Sequence, residues 1–155
     1  MDKIKIKKSS CADTRTCDWS KVTKDELLIN SYQHIKDVIK GIEFLSLLLN
    51  KRALNHDNTK LSHIDQFHED FKTGFSKTDW WEMHQKKERH HLNNKDYIQD
   101  DVDLLDVIEQ IVDGVMAGMA RSGEYRVEIP DANLLLKAYE NTTKILLSNI
   151  EVDNL

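Results

Sequence analysis

The chain has 155 residues, of which 39% are hydrophobic and 32% charged, with one proline, five glycines and a formal net charge of −5. That length fits one domain around a single core, the scarcity of turn formers disfavours a β-sandwich, and the negative balance disfavours a broad surface for duplex nucleic acid. Cys11 and Cys17 are too few for a disulfide framework and lack zinc-knuckle spacing, and no apolar run approaches the roughly 18 residues of a membrane span, so a cytoplasmic protein without a membrane partner is expected.

Residues 1–22 alternate briefly at Ile4 and Ile6 and then turn small and polar, which predicts an extended segment and a loop: an N-terminal arm ahead of a single domain over 23–155. Thr23 and Glu26 form a capping box, and Leu28, Tyr32, Ile35, Ile39 and Ile42 recur at helical spacing, predicting a first helix to about Leu49. His34 sits at the edge of that stripe, beside Leu27, Val38 and Leu45, and faces the interior or its rim. Ser62 with Asp65 marks a second helix start, with Ile64, Phe67, His68 and Phe71 inward and Gly74 at its end. A third helical stretch is predicted from Thr78 to Leu92, and the run from Asn93 to Asp96 reads as a turn. Asp101 can cap a fourth helix, apolar nearly all round from Val102 to Met119 and therefore expected at the centre, which Arg121-Ser122-Gly123 closes. Asp131 starts the last helix, through Leu134, Leu135, Ala138 and Thr142. The sum is a compact all-α bundle of about five main helices.

Three carboxylates, Asp106, Glu109 and Asp113, fall on one line of the apolar fourth helix. Burying them is unfavourable unless cations, protons or donors compensate. A metal at Asp113 with Glu109 behind it would do so; a line facing solvent is the plain alternative. His56 and Asp57 are adjacent, and in regular helix their side chains would diverge by about 100°. Asn55, Asn58 and Thr59 favour turns and caps, an irregular context from which the pair can converge on one ion. His84 and His91 come within about 20° of one helical face, so they are the better pair for a second metal or for phosphate oxygens, with His90 on the surface; a helix breaking at Arg89 would reverse this. A basic solvent face is the alternative for the whole cluster. Of Trp80 and Trp81, one is expected in the core and one on a pocket wall. Arg15 and Arg121 are candidates for phosphate recognition, because guanidinium matches phosphate geometry. His63 and His68 read as structural or surface residues.

The order His34, then His56-Asp57-Asn58-Thr59-Lys60, then Asp113 resembles the HD-domain superfamily of metal-dependent phosphohydrolases, over roughly residues 27 to 120. The HDxxK stretch is similar to the branch that often binds two metals. The chain also looks similar to small phage and bacterial proteins of the superfamily, in an arm over residues 12–18 and the Arg121-Ser122-Gly123 turn. The resemblance implies an HD-like helical bundle in which His34, His56, Asp57 and Asp113 bind one divalent ion, Asp57 bridges to a second, and Lys60 faces a substrate phosphate. If phage-encoded, the protein would act in the host cytoplasm. The GYP sequence of cyclic-dinucleotide phosphodiesterases is absent, which argues against that specificity.

These features lead to the expectation of a phosphohydrolase acting on a nucleotide or another small phosphoester. Asp57 or a nearby carboxylate, Glu109 among them, would accept the proton of water, while Lys60, Arg15, Arg121, His84 and His91 contact substrate. Mixed His and carboxylate ligands suit one or two ions of Mn, Fe, Co, Ni or Zn. Two other readings stand beside it: a di-iron oxygenase of HD-like fold, and a non-catalytic nucleotide- or partner-binding protein that retains the metal pocket. No choice of oligomeric state follows from the sequence.

Overall fold

The computed structural model describes residues 2–9, 11, 14–15, 17–77, 79–125 and 127–153. Parts of the 12–18 arm motif, and Thr78 at the expected start of the third helix, lie outside the described residues. The chain is all-α as expected, with one small two-stranded sheet.

The first helix begins at the expected capping box. Glu26 accepts from the Thr23 backbone N–H at 2.9 Å and from its hydroxyl at 2.7 Å, while the Glu26 N–H donates to Thr23 Oγ1 at 3.3 Å. Helix α1 then runs over Lys24–Ala53, past the expected end at Leu49. The extension is made of good helix formers without Gly or Pro, and Lys51 and Arg52 sit on the last turn, where the helix dipole favours cations. Short helices follow: α2 over Asn58–Ser62, α3 over Ile64–Phe71 and α4 over Trp80–Lys87. Two long ones, α5 over Leu104–Ser122 and α6 over Ala132–Asn149, complete the helices.

The residues divide into two units, one of Met1–Leu47 with Lys144–Leu155 and one of Leu48–Thr143. In the first, strand β1 (Ile4–Lys7) pairs in parallel with β2 (Ile150–Asp153), from Ile4 opposite Ile150 to Lys7 opposite Asp153. The N-terminal arm is thus tied to the C-terminal segment, where the brief apolar alternation of Ile150 and Val152 is too short to announce a strand. Ile4 and Phe44 are buried there, and Lys40 Nζ donates to the Lys5 carbonyl at 2.6 Å. The α1 stripe of Leu28, Tyr32, Ile35, Ile39 and Ile42, expected to face a core, is exposed, as is His34.

The second unit has its core at Leu92, Val102, Val107 and Ala138, with Ile98, Leu104, Leu134 and Leu135 packed against it. The α5 N-terminus is capped by Asp103, not Asp101: its side chain accepts from the Leu105 and Asp106 N–H groups, and Asp106 returns the bond to the Asp103 N–H. Two guanidinium groups hold this corner. Arg52 pairs with Asp103 and Asp106, and Arg89 places Nε and Nη2 each 2.9 Å from Asp106. The fourth helix is buried only over its first half; Ile108, Ile111, Val112, Met116 and Met119 are exposed, so it is not the all-round central helix its composition suggests. Gly123 closes it in the left-handed region, φ 73°, as the sequence implies. Asp131 caps α6 by accepting from the Asn133 and Leu134 N–H groups at 3.0 Å.

Removing Asp106 would leave Arg52 with Asp103 alone, take from Arg89 its buried partner while Asp101 remains, and remove the reciprocal half of the α5 capping box. Asp106→Ala should therefore lower stability by about 3 kcal/mol, the low end for a broken buried pair because both arginines keep some solvent contact. Urea unfolding measures it; a loss below about 1 kcal/mol would mean that this corner is solvent-screened.

Candidate metal centre

Between α1 and α2 the chain turns through Leu54–Asp57, and Asp57 takes the left-handed conformation with φ 53°. That conformation is uncommon outside glycine but least costly for Asn and Asp. It breaks the helical spacing between neighbours, so that His56 and Asp57 no longer diverge. His56 Nε2 lies 3.5 Å from Asp57 Oδ2 and 3.6 Å from Asp113 Oδ1, while its Nδ1 is 2.9 Å from Glu109 Oε1. Three of the four side chains in the H…HD…D pattern are thus together, and Glu109 is beside them in direct contact with His56.

The other Asp57 oxygen faces a second set. Oδ1 is 3.5 Å from His84 Nε2 and 3.6 Å from His90 Nε2, and His91 Nε2 is 2.9 Å from His84 Nε2. Helix α4 stops at Lys87, before Arg89, so the residues after it do not follow helical spacing. His84 and His91 meet as expected, but His90 is not a surface residue: it is 2% exposed, its ring stacked at a tilt 4.5 Å from His56. Four groupings of ligand atoms lie close enough to hold an ion: His56-His90-Glu109, Asp57-His84-His91, His56-Asp57-Asp113 and Asp57-Glu88-His90. Separations of 3.5–3.6 Å are too long for hydrogen bonds and close to the roughly 3.4 Å edge of a tetrahedron with 2.1 Å bonds.

Two observations favour a cation here. Asp57 Oδ1 and both His90 ring nitrogens are buried without a hydrogen-bond partner, in a protein interior where such atoms are rare. Glu109 Oε1 lies 3.4 Å from His90 Nδ1 but without hydrogen-bond geometry. In addition, Thr59 sets the tautomer of His84. Its hydroxyl donates to Glu88 Oε1 at 2.6 Å, so its contact with His84 Nδ1, also 2.6 Å, is one that Nδ1–H donates. The lone pair of His84 is then on Nε2, facing Asp57. Ligating histidines are commonly fixed in this way through their second nitrogen.

Electrostatics separates the histidines. Burial, reinforced by His90 and His84, holds His91 down to about 3, and burial also lowers His84, so both are neutral near pH 7. Burial opposes protonation of His90 as well, but Glu109, Asp57 and Asp113 outweigh it and raise its pKa. Burial would raise Asp57, yet the Lys60 ammonium, paired with Oδ2, and His56 hold it low; His90 and His56 do the same for Glu109.

The chain matches no protein-family model, no curated protein and no solved structure. The centre is therefore read from its own residues, and they divide plainly. His34, exposed in the other unit, belongs to none of the four groupings. Arg15 is also exposed in that unit, and Arg121 is exposed on the last turn of α5, about 12 Å along the axis from Asp113. Trp80 is buried and stacked on Phe67 and His84, the core position expected of one tryptophan, while Trp81 is partly exposed and edges onto His91. Sequence reasoning missed Thr59, Glu88, Arg52 and Arg89; of these, Thr59 alone carried a signal, as the residue inside the HDxxK stretch. Among the described residues no helix is long and apolar enough to cross a membrane.

Thr59→Val keeps the shape but removes the tautomer lock, and should weaken Zn2+ or Co2+ binding by about 10- to 100-fold in calorimetric titration. Proton linkage gives a second expectation. The raised pKa of His90 stabilises the metal-free protein below the ordinary histidine pKa, and that contribution disappears as pH rises through the raised value. A cation needs His90 deprotonated, so the gain in Tm on adding Zn2+ should grow from pH 5.5 to pH 8. A gain independent of pH would remove His90 from the ligand set.

Proposed function

We propose that the chain is a metal-dependent phosphohydrolase acting on a small phosphoester. The observation that carries this reading is the cluster of His56, Asp57, His84, His90, His91, Glu109 and Asp113, buried at His84 and His90 and partly open at the rest, in which Asp57 turns one oxygen toward each of two ligand sets and Lys60 stands beside it. That is more donors than one ion of four to six ligands takes, and the sharing of Asp57 suits two ions. Nitrogen and carboxylate donors fit Mn2+, Fe2+, Co2+, Ni2+ or Zn2+. A bound divalent ion supplies acidification of water and polarisation of a phosphoryl oxygen.

The chain's own residues do the rest. Glu109, held against His56 and half-buried, accepts the proton that the attacking water gives up. Lys60 pairs with Asp57. With Asp57 occupied, its ammonium is free to neutralise a phosphate oxygen, a charge-assisted contact stronger than a neutral one. Glu88 and Thr59 orient His84 and take no part in proton transfer.

The protein purified without chelator should carry transition metal and release phosphate from phosphomonoesters or nucleotides with added Mn2+, Co2+ or Ni2+. Asp57→Ala should abolish both metal retention and turnover. Lys60→Ala should keep the metal and raise KM by about 10- to 100-fold, the worth of a hydrogen bond to a charged group. An Asp57→Ala protein with full metal content and full activity would refute the assignment.

A further inference from the structure

A groove of about 400 Å³ opens onto the centre. Its floor is His56, Glu109 and Asp113, and its walls include Leu49, Ala53, Ile108, Val112 and Met116, with Asn50 as the remaining polar side chain. The walls come from the end of α1 and one side of α5, whose Ile108, Val112 and Met116 are exposed. A second, smaller pocket of about 120 Å³ reaches the same cluster from another side, lined by His90, His91, Asn93, Gln110 and Asp113 among others. Asp113 borders both.

Resting on the phosphohydrolase reading, we infer that the substrate is a phosphate monoester of an apolar alcohol or phenol, its organic group seated in the groove and its phosphate on the cluster. Three features select this occupant. The groove has the volume of a small-molecule site. Its floor of ligand residues requires that whatever lies in it end in a group that meets a cation. Its walls offer Asn50 alone to the hydroxyls of a ribose or the edges of a base, so a nucleoside would lose hydrogen bonds to water without replacing them, whereas an aryl or alkyl group gains by leaving water. The small polar pocket, lined by Asn93, Gln110 and Asp113, is the way in for water. The reaction balances as ester and water giving alcohol and phosphate: the bond from phosphorus to the leaving oxygen breaks, the bond from phosphorus to the water oxygen forms, one water proton stays with phosphate and the other ends on the leaving oxygen.

The test uses the full chain loaded with Mn2+ and three non-hydrolysable phosphonates, methyl, hexyl and 1-naphthyl, titrated by calorimetry, with phosphate release from the matching phosphate esters and from a nucleoside monophosphate. Binding should tighten at least tenfold from methyl to naphthyl, naphthyl phosphate should be turned over faster than the nucleotide, and Val112→Lys or Met116→Lys should erase the tenfold preference while metal content holds. Equal affinities for methyl and naphthyl, with ester hydrolysis intact, would overturn the groove assignment and leave the hydrolase reading standing. If a metal-loaded protein binds no phosphonate and cleaves no ester, the hydrolase reading itself falls. A sedimenting dimer that Met116→Lys dissociates, with no naphthyl preference, would instead give the groove to a second copy of the chain.

Discussion

The left-handed backbone at Asp57 is the constraint on which the centre depends. An L-residue with a Cβ reaches φ 53° at a cost of about 1–2 kcal/mol, and aspartate is among the residues least penalised. Without that turn α1 and α2 would continue as regular helix, and His56 and Asp57 would point to different sides. With it, Asp57 stands at the mouth of α2, one oxygen toward His56 and the other toward His84 of α4 and His90 just after it. The strain sits at the residue that the rest of the cluster converges on, which is where strained backbone tends to be kept.

One helix serves two kinds of charge compensation. On the first turn of α5, Asp103 and Asp106 are almost wholly buried, and permanent cations from Arg52 and Arg89 balance them together with the capping bonds. One turn on, Glu109 meets imidazoles instead, and a further turn on Asp113 does the same. Guanidinium is charged at every accessible pH, so the first pairing is fixed and structural. Imidazole gains or loses its charge near neutrality, so the second pairing can be exchanged for a metal ion. The acidic line along this helix therefore marks two functions, separated by a single turn.

Much of this was legible in the sequence, for reasons that differ by element. The Thr23 capping box, the Gly123 stop and the Asp131 cap are local chemistry, decided by residues a few positions apart, and they form as expected. His56, Asp57 and Asp113 could be picked out because a metal needs few residue types, and an irregular Asn-rich stretch around the pair signalled the bend. What stayed hidden was long-range. Nothing near Arg52 or Arg89 in the chain announces that both will reach Asp106, or that the cap beside it is Asp103 and not Asp101. Helical spacing to Leu92 puts His90 on the surface; α4 ends five residues earlier, at Lys87, and three histidines from this stretch, not two, reach the cluster. The exposed half of α5 shows the limit of composition: an apolar helix was read as central, whereas part of its apolar surface lines a groove.

The hydrogen bonding of the cluster is uneven. His84 is fixed with its lone pair on Nε2, and His91, too acidic to hold a second proton near neutrality, can satisfy it at 2.9 Å by donating its single N–H. That contact joins the two rings, and a metal held by both Nε2 atoms would require the His91 proton on its other nitrogen. No such substitute exists for Asp57 Oδ1 or for the two nitrogens of His90. Each buried polar atom left unpaired costs on the order of 1–3 kcal/mol, so a cation that met these atoms would stabilise the fold through the same contacts that bind it, and affinity and stability would rise together.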